Sequence, residues 1–478
     1  MNKIFIIILF LFALFSFTSS TFSQDKIELK YSDKLTGRME NGQTIREATG
    51  HVHLVQGRVD VYCNTAYQYI DANKVELIGD VKIYQDTLTL LTPRATYYGN
   101  EGKAICEGGV TLRDPNATLR ANHGIYFFNE AKAIFDKDVI IINPTYKITS
   151  DHLTYLRNTE DSFAKGNVVV IKDSTVIAAE NIDFYKRQGK TYATQNVSID
   201  QDSSIIYCDT LTDYSNEKKS IASGNVKLNN LRNNVLVYGD YLENYENTKY
   251  TYIKGNAKLV QVEKEKDTMF IYSKTMESFR TLPEHYIATD SVDVIRNTFY
   301  SKSGYAVYSK TQDKDIDKMS FYIKPIVWND NIQMTGDTIF ADLKEKKLQI
   351  IYARKIDELK GSEFSFMIVE NKDSNFTDRY DQATGKDIII HFLEDKVNYI
   401  EVNKKANSLY YMYDNKKGNG VNISEGMNMI ITFDNDQKVD KVKIEKNPKG
   451  QYVPEVKMST VTLILPGFNL RKDKPERR

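Results

Sequence analysis

The chain has 478 residues, and its 64 Lys plus Arg balance its 64 Asp plus Glu, so the formal net charge is zero. This balance argues against nucleic acid as a partner, because a surface that follows phosphates carries a basic excess. The length allows a large core and more than one domain. With 32 Tyr, 22 Phe and only 9 Pro, the composition predicts an all-β protein.

The N-terminal segment 1–23 predicts a secretory signal peptide. "MNK" supplies a positive charge, Ile4 to Phe17 form an apolar run, and Thr21 and Ser23 are small residues at the −3 and −1 positions of a cleavage site. A retained membrane anchor is the alternative, although the run is short for a span. No Cys directly follows the run, which argues against a lipoprotein anchor. We expect an exported, soluble mature chain from about Gln24.

A sequence repeat begins near position 50, with a period of about 29 residues. Its anchor is the Val of "GNV" and related triplets, and two looser copies follow the regular ones. The regular anchors are Val52, Val81, Val110, Val139, Val168, Val197 and Val226, and the looser ones are Ala257 and Val292. Six identical steps indicate a repeat architecture.

Each anchor and the residue two positions later are apolar, while their neighbours are mixed. This alternation predicts strands with one face toward an apolar interior. We call these residues the inner ladder. In the regular repeats they are Val52, Leu54, Val81, Ile83, Val110, Leu112, Val139, Ile141, Val168, Val170, Val197, Ile199, Val226 and Leu228.

Gly recurs two positions before the anchor, as in Gly79 and Gly166, although Lys137, Gln195 and Asp290 replace it in three copies. Gly inside a strand pattern predicts a bulge or bend. A small residue follows eleven positions after the anchor, and aromatic residues follow that. Each repeat is therefore interpreted as two strands of an antiparallel meander, with parallel β-helix winding as the main alternative.

Three cysteines are present: Cys63, Cys106 and Cys208. Cys63 and Cys208 occupy the same small-residue column, five repeats apart, which is too far for a disulfide. Cys106 lies in an apolar column. We expect all three to be free core residues.

Beyond position 325 the repeat becomes longer. Segments beginning at Gly336, Gly385 and Gly426 share a strand, a charged turn and a second strand. We therefore predict three parts: a signal peptide at 1–23, repeats at 24–325, and longer repeats of the same type at 326–478. The basic end, "LPGFNLRKDKPERR", is interpreted as a solvated tail, with a partner contact as the alternative.

No motif for catalysis, nucleotide binding or a cofactor occurs. His51 and His53 lie on one strand without a third nearby ligand, and His123 and His152 are one repeat apart in a polar column. We therefore predict neither a catalytic nor a metal site, no cofactor, and a protein that is not an enzyme.

The motifs "GDV", "GGV" and "GNV", followed by an alternating strand and then a strand such as "AAENIDFY", resemble the organic-solvent-tolerance (OstA-like) family. That family includes the periplasmic lipopolysaccharide transport protein A and the N-terminal domain of the outer-membrane lipopolysaccharide translocon. The resemblance is good over residues 45–310. It implies an elongated, folded-over β-jellyroll of stacked antiparallel strands with an apolar groove.

The resemblance also implies binding of lipid A acyl chains, here by the inner ladder, and a location in the periplasm or at the outer membrane. The implied partners are lipopolysaccharide and other lipopolysaccharide transport proteins, which would pair through exposed strand edges, together with self-association. Two other hypotheses stay open. One is a structural or adhesive cell-surface β-solenoid with a closed core, and the other is a β-helical enzyme acting on polysaccharides.

Overall fold

This computed structural model describes residues 25–201, 203–232, 234–262, 268–310, 316–345, 347–356, 363–394, 396–414, 417–434 and 436–478. The predicted signal peptide lies outside the described residues. Within these ranges, no helix has the length and apolar character needed to cross a membrane. The chain divides into two compact units. The first comprises residues up to 144 together with 152–158, and the second comprises 145–151 together with 159–478.

The first unit contains nine complete strands and residues 152–156 of a tenth. In order they are β1 Glu28–Tyr31, β2 Lys34–Glu40, β3 Gln43–Gln56, β4 Val59–Tyr69, β5 Lys74–Gln85, β6 Leu88–Tyr98, β7 Lys103–Asp114, β8 Ala117–Phe127, β9 Lys132–Ile142 and β10 Lys147–Leu156.

The second unit contains the remaining strands. Those that continue the regular pattern of the repeat are β11 Asp161–Lys172, β12 Thr175–Tyr185, β13 Lys190–Gln201, β14 Ser204–Tyr214, β15 Lys219–Asn230, β16 Val235–Tyr245, β17 Tyr250–Val262, β18 Thr268–Phe279, β19 His285–Arg296 and β20 Phe299–Lys310. The later ones are β21 Ile316–Tyr322, β22 Ile326–Asn329, β23 Ile332–Thr335, β24 Thr338–Lys344, β25 Lys347–Arg354, β26 Ser365–Glu370, β27 Tyr380–Gly385, β28 Asp387–Leu393, β29 Lys396–Asp414, β30 Lys417–Phe433, β31 Val439–Glu445 and β32 Lys449–Pro454. Short 3-10 helices span Lys186–Gln188, Ser374–Phe376 and Glu455–Thr460.

The strands pair antiparallel with their neighbours in the chain, as two strands per repeat predict. β3 pairs with β4, β4 with β5 and β5 with β6 in the first unit, and the same meander runs from β11 to β20 in the second. The predicted all-β fold of stacked antiparallel strands is confirmed. Antiparallel pairing also excludes the parallel β-helix that the sequence left open.

Each long strand bends where the repeat predicts it. On β11 the register shifts between Lys165 and Val168, which marks a β-bulge. The glycines two positions before the anchors have φ of 76° to 80°. Lys137, Gln195 and Asp290 adopt the same left-handed conformation with φ of 64° to 66°, so the backbone bends alike with and without Gly.

The bend divides each strand into two halves, which form two walls that face each other. Limb A contains the anchors, for example residues 52–56 of β3 and 59–63 of β4. Limb B contains the other halves, residues 43–49 and 65–69 of the same strands. On the outside of the bend, Asn side chains bond to Asp of the preceding strand: Asn167 donates to Asp151 at 2.8 Å and Asn225 donates to Asp209 at 2.9 Å.

After β20 the two limbs become separate strands. β20 pairs through Tyr305–Lys310 with β21 and through Phe299–Lys302 with β22. Limb B then continues through β24, β25 and β28, and limb A continues through β23, β26 and β27. β29 pairs with both β27 and β28 and so joins the limbs again.

The three strand pairs predicted after Gly336, Gly385 and Gly426 are present as β24–β25, β28–β29 and β30–β31. The repeated pattern did not predict the short limb A strands β22, β23, β26 and β27. The prediction of a solvated basic tail is wrong, because residues 463–478 bond to the sheet, as described below. The predicted domain boundaries stay predictions.

The three cysteines are free and buried, as predicted. Burial raises the pKa of Cys63 and Cys208 to about 11 and that of Cys106 to about 12. These thiols therefore behave as small core side chains.

Candidate functional site

The inner ladder of the first unit is sealed from solvent. All eight of its residues are at most 3% exposed. They are Val52, Leu54, Val81, Ile83, Val110, Leu112, Val139 and Ile141. Because no solvent reaches these side chains, they form a closed core between the two limbs.

The inner ladder of the second unit is only partly covered. Its anchors Val168, Val197 and Val226 are buried beside the bend. Farther from the bend, Val170 and Leu228 are partly exposed, and Ile199 is at the limit of burial at 9%. Ile177 and Ile206 on the partner strands are also partly exposed. The structure thus brings the ladder residues together, and in the second unit it leaves their outer row accessible.

The inner ladder is sealed in the first unit and partly exposed in the second, and this difference coincides with a change in one column of residues. The column has one residue per strand and lies on the inner face of limb B, near the hairpin ends. We call it the rim column. In the first unit it contains Gln68, Val75, Tyr97, Ala104, Tyr126 and Ala133. In the second unit it contains Ser162, Phe184, Thr191, Asp213, Ser220, Asn244, Thr251, Ser278, Tyr286 and Tyr308.

In the first unit, large rim residues close the space between the limbs. Tyr97 of limb B donates a hydrogen bond of 2.6 Å to Oε1 of Gln56, which ends limb A of β3. Nε2 of Gln56 donates to the carbonyl of Gly99 at 3.0 Å. Phe128 packs edge-on against Tyr97 and Tyr126, with ring centroids 5.7 and 4.8 Å apart. These contacts join the limbs on the side opposite the bend.

Arg157 adds an ionic contact across the same side of the first unit. Its guanidinium donates to Asp114 at 2.7 Å and to the hydroxyl of Thr87 at 2.8 Å, and both of these lie at hairpin ends of limb A. Burial raises the pKa of Tyr126 beside this pair. Limb A and limb B are therefore bonded to each other along this edge of the first unit.

In the second unit, the rim column from β13 to β18 consists of small polar residues. A groove of about 610 Å³ lies between the limbs, and the rim residues that line it are Ser162, Phe184, Thr191, Asp213 and Ser220. Its floor includes Val170, Ile177 and Ile199 from limb A and Ile182 and Leu211 from limb B. Small side chains at the rim do not fill the space that tyrosines fill in the first unit, so the apolar floor stays accessible.

Residues of the rim column bond to one another along limb B. At the groove, Ser220 donates to Asp213 at 2.6 Å, and beyond it Thr251 donates to Asn244 at 2.9 Å. Burial raises the pKa of Asp213. The groove thus combines an apolar floor with a polar rim. Charged side chains stand at its mouth, all of them exposed: Lys172 and Asp173 on limb A, and Lys186, Lys218 and Glu246 on limb B.

Two family models match the region that contains these features. A model described as OstA-like protein matches residues 24–180. A model described as LptA/(LptD N-terminal domain) LPS transport protein matches residues 147–277. Residues 24–277 belong to the OstA-like lipopolysaccharide transport family. No curated protein matches the chain.

The OstA-like region contains the entire groove, since its lining residues, from Thr145 to Glu246, all fall within residues 24–277. A second cavity, of about 460 Å³, lies beyond position 277 in the second unit. Apolar space between the limbs therefore also occurs outside the matched residues. The lining of this cavity includes Phe299, Met319, Leu343 and Phe392, with Arg296, Glu345 and Lys347 among its polar residues.

The histidines of the OstA-like region are bonded to carboxylates. His51 bonds to Asp33 at 2.9 Å, and His53 bonds to Asp60 at 2.8 Å. His152 and His123 both contact Asp136, at 2.6 and 3.6 Å. Across the part of the chain that the structure describes, no group of three His, Cys, Asp or Glu side chains is arranged to hold a metal ion.

Sequence reasoning missed the rim column, although its signal is present in the repeat. Sixteen positions after the six regular anchors from Val52 to Val197 stand Gln68, Tyr97, Tyr126, Tyr155, Phe184 and Asp213. Tyr97, Tyr126 and Phe184 point inward, whereas their neighbours Tyr98, Phe127 and Tyr185 belong to the opposite face. Because inward and outward aromatic residues are neighbours in the sequence, the change from Phe184 to Asp213 is visible only when the two faces of the strand are considered separately.

Proposed function

We propose that the protein is a non-enzymatic periplasmic carrier of lipopolysaccharide, which holds lipid A acyl chains in the groove of the second unit during export to the outer membrane. The observation that carries the proposal is the partly exposed outer row of the inner ladder beneath a rim of Thr191, Asp213 and Ser220. Membership of residues 24–277 in the OstA-like family supports it.

Burial of acyl chains provides the driving force in this proposal. Each methylene removed from water gains about 0.8 kcal/mol, so a fully covered twelve-carbon acyl chain, with about ten methylenes, gains on the order of 8 kcal/mol. In the second unit Val170, Ile177 and Leu228 expose apolar surface that such a chain would cover. No covalent step is needed to hold or release a lipid bound in this way.

The charged mouth suits the polar end of the same molecule. Lys172, Lys186 and Lys218 are exposed next to the groove, where their ammonium groups can approach the phosphates of lipid A. Because these lysines are solvated, each contact is weak and depends on ionic strength. We therefore assign affinity to the apolar floor and orientation of the lipid to the mouth.

Open strand edges supply the proposed partner contacts. In the first unit, β1 and β2 each pair with β3, and β2 carries exposed apolar side chains such as Leu35 and Met39. An edge strand with free backbone groups can pair with a strand from another chain. We propose that other lipopolysaccharide transport proteins, or a second copy, pair with such edges.

We further propose that residues 24–325 form the lipid-binding part and that 326–478 continue its architecture. Purification of the protein without detergent, followed by extraction and mass spectrometry of bound lipid, tests the proposed function. We expect lipid A to be recovered and added lipopolysaccharide to bind saturably. Folded protein that yields no lipid A and binds no added lipopolysaccharide would instead support the structural β-solenoid with a closed core.

A further inference from the structure

The last residues of the chain lie along the outer face of limb A in the second unit. After the 3-10 helix Glu455–Thr460, they run back past the strands that precede them. We call residues 461–478 the tail segment. Arg478 at its end contacts β17, β18 and β19. At its start, Val461, Leu463 and Leu465 pack against the buried cluster of Leu409, Tyr411, Val421 and Val453 on β29, β30 and β32.

Two buried glutamines bind the backbone of the tail segment. Gln382 on β27 donates to the carbonyl of Leu463 at 3.1 Å and accepts from the amide of Leu465 at 2.9 Å. Gln333 on β23 donates to the carbonyl of Asn469 at 2.8 Å and accepts from the amide of Arg471 at 2.8 Å. Gln382 and Gln333 are only 3% and 2% exposed. Each therefore pairs with the tail as a neighbouring β-strand would.

An aromatic pocket receives the middle of the tail segment. Phe468 lies between Phe366 and Tyr380, with ring centroids 6.1 and 5.7 Å away. Phe366 belongs to β26 and Tyr380 begins β27, so both rings come from limb A. The pocket therefore adds apolar contact to the backbone pairing that the glutamines supply.

Ionic contacts hold the C-terminal end of the tail segment. Lys302 on β20 bonds to Asp473 at 3.1 Å. The guanidinium of Arg478 pairs with the buried Asp293, and its backbone amide donates to the hydroxyl of Tyr272 at 2.8 Å. The tail is thus bound along its whole length, by apolar, backbone and ionic contacts in turn.

The face beneath the tail segment is unusually apolar for the outside of limb A. Trp328 pairs with Gln333 across β22 and β23 and so points to the same face, and Ile368 pairs with both Gln333 and Gln382. Both side chains are 1% exposed. On limb A of the first unit, by contrast, outward residues such as Arg113 and Arg120 are exposed. We call this part of limb A, which the tail segment covers, the tail groove.

We propose that the tail groove is an exchangeable peptide-docking site and that it also accepts the tail segment of a second copy of this chain. The tail segment contains no strand in the described structure. It can therefore leave without breaking any ladder hydrogen bond of the sheet.

The connection to the tail segment has contacts of its own, apart from those of the tail with the tail groove. In the helix at 455–460, Thr460 and Val461 bond back within the turn, to Lys457 and Met458. Arg379 pairs with Glu455 and fixes the point where the connection begins. A tail from a second copy would reproduce each contact that the chain's own tail makes, which is the condition for exchange of identical elements between protomers.

The test uses the full chain with a site-specific protease sequence replacing residues 457–460. After cleavage, a fluorescent peptide with the sequence of residues 461–478 is added, and its binding is followed by anisotropy. We expect saturable binding and displacement of the original tail. Gln333→Ala combined with Gln382→Ala should weaken peptide binding at least tenfold, as should Phe468→Ala in the peptide. The control Gln349→Ala, on β25 of limb B, should change it less than twofold.

Two results would overturn the proposal. The first is a cleaved tail that neither dissociates nor exchanges with excess peptide while the protein stays folded, since the tail would then be a fixed part of the fold. The second concerns intact protein. Copies bearing two different tags are incubated together at high concentration, and we expect them to co-purify and expect the double glutamine variant to lose this association. Peptide exchange without any co-purification would contradict the docking of a second copy.

Discussion

The phenolic hydroxyl of Tyr97 donates a hydrogen bond of 2.6 Å to Oε1 of Gln56 and thereby joins limb B to limb A in the first unit. The ring itself is 1% exposed and packs on Phe128. One residue thus supplies both a polar contact between the limbs and much of the apolar filling between them. The corresponding positions of the groove are occupied by Thr191, Asp213 and Ser220.

Removal of the Tyr97 hydroxyl should destabilise the protein modestly, and removal of the ring should destabilise it strongly. We expect Tyr97→Phe to lower the free energy of unfolding by about 1 kcal/mol and Tyr97→Ser by about 3–5 kcal/mol, because the ring leaves a cavity. Denaturant unfolding followed by circular dichroism measures both. Tyr98→Phe on the opposite face is the control, and an equal loss there would show that Tyr97 has no special role.

Large side chains in the rim column should close the groove. We expect Asp213→Tyr combined with Ser220→Tyr to reduce binding of lipopolysaccharide at least tenfold while the protein stays folded, because the rings would occupy the space above Ile199 and Leu211. Titration with fluorescent lipopolysaccharide measures the effect. Thr212→Tyr places the same ring on the other face of β14, and it should leave binding unchanged. Undiminished binding by the double variant would place the lipid elsewhere.

The bends predict opposite effects for two substitutions at equivalent positions. Gly166 has a φ of 77°, and an added Cβ would lie 2.5 Å from Oδ2 of Asp151. Gly166→Ala should therefore lower the free energy of unfolding by about 1–3 kcal/mol. Gln195 already adopts a φ of 66°, so Gln195→Gly relieves strain and should raise that free energy by up to about 1 kcal/mol. Thermal unfolding measures the change in stability of both variants. A Gly166→Ala variant that is more stable than the unmodified protein would refute this account of the bend.

Asp381 should make stability depend on pH. Burial raises the pKa of this carboxyl from 3.8 to about 7, and the backbone amide of Tyr411 donates to its Oδ1 at 2.8 Å. Because the folded pKa exceeds the unfolded one, the fold favours the protonated form, and stability falls as pH rises from about 4 to about 7. Asp381→Asn keeps the acceptor oxygen and carries no charge.

We therefore expect Asp381→Asn to match the unmodified protein near pH 4 and to exceed it by about 1–3 kcal/mol above pH 7. Denaturant unfolding at a series of pH values measures the difference. Asp440→Asn, at an exposed site on β31, is the control and should show no such trend. A difference that stays constant with pH would contradict the assignment to Asp381.

The repeat predicted most of the meander, because its columns report local physical requirements. Period-two alternation placed Val168 and Val170 on the inner face, and the Gly column located the bends. The same pattern could not predict that the limbs separate after β20, since the crossings between limbs follow from long-range pairing. The three later hairpins resemble one another in sequence, but the short limb A strands between them do not repeat.

The sequence predicted the apolar residues that form the floor of the groove, but it did not predict that the groove is open to solvent. Whether a ladder forms a closed core or a groove depends on residues on the opposite wall, such as Tyr126 in the first unit and Asp213 in the second. Parity within the repeat assigns these residues to the inner face. The contacts of the tail segment could not be predicted for a related reason. Its charged residues predict a solvated tail, whereas the buried Gln333 and Gln382 that bind it lie on strands much earlier in the chain.

Photo-crosslinking from two adjacent residues of β11 tests the central claim most directly. Val170 points into the groove, whereas Val169 belongs to the opposite face of the same strand. With a photoreactive amino acid at each position in cells that produce lipopolysaccharide, we predict a lipopolysaccharide adduct at position 170 and none, or at least tenfold less, at position 169. Equal adducts at both positions, or none at 170 in folded protein, would contradict the account.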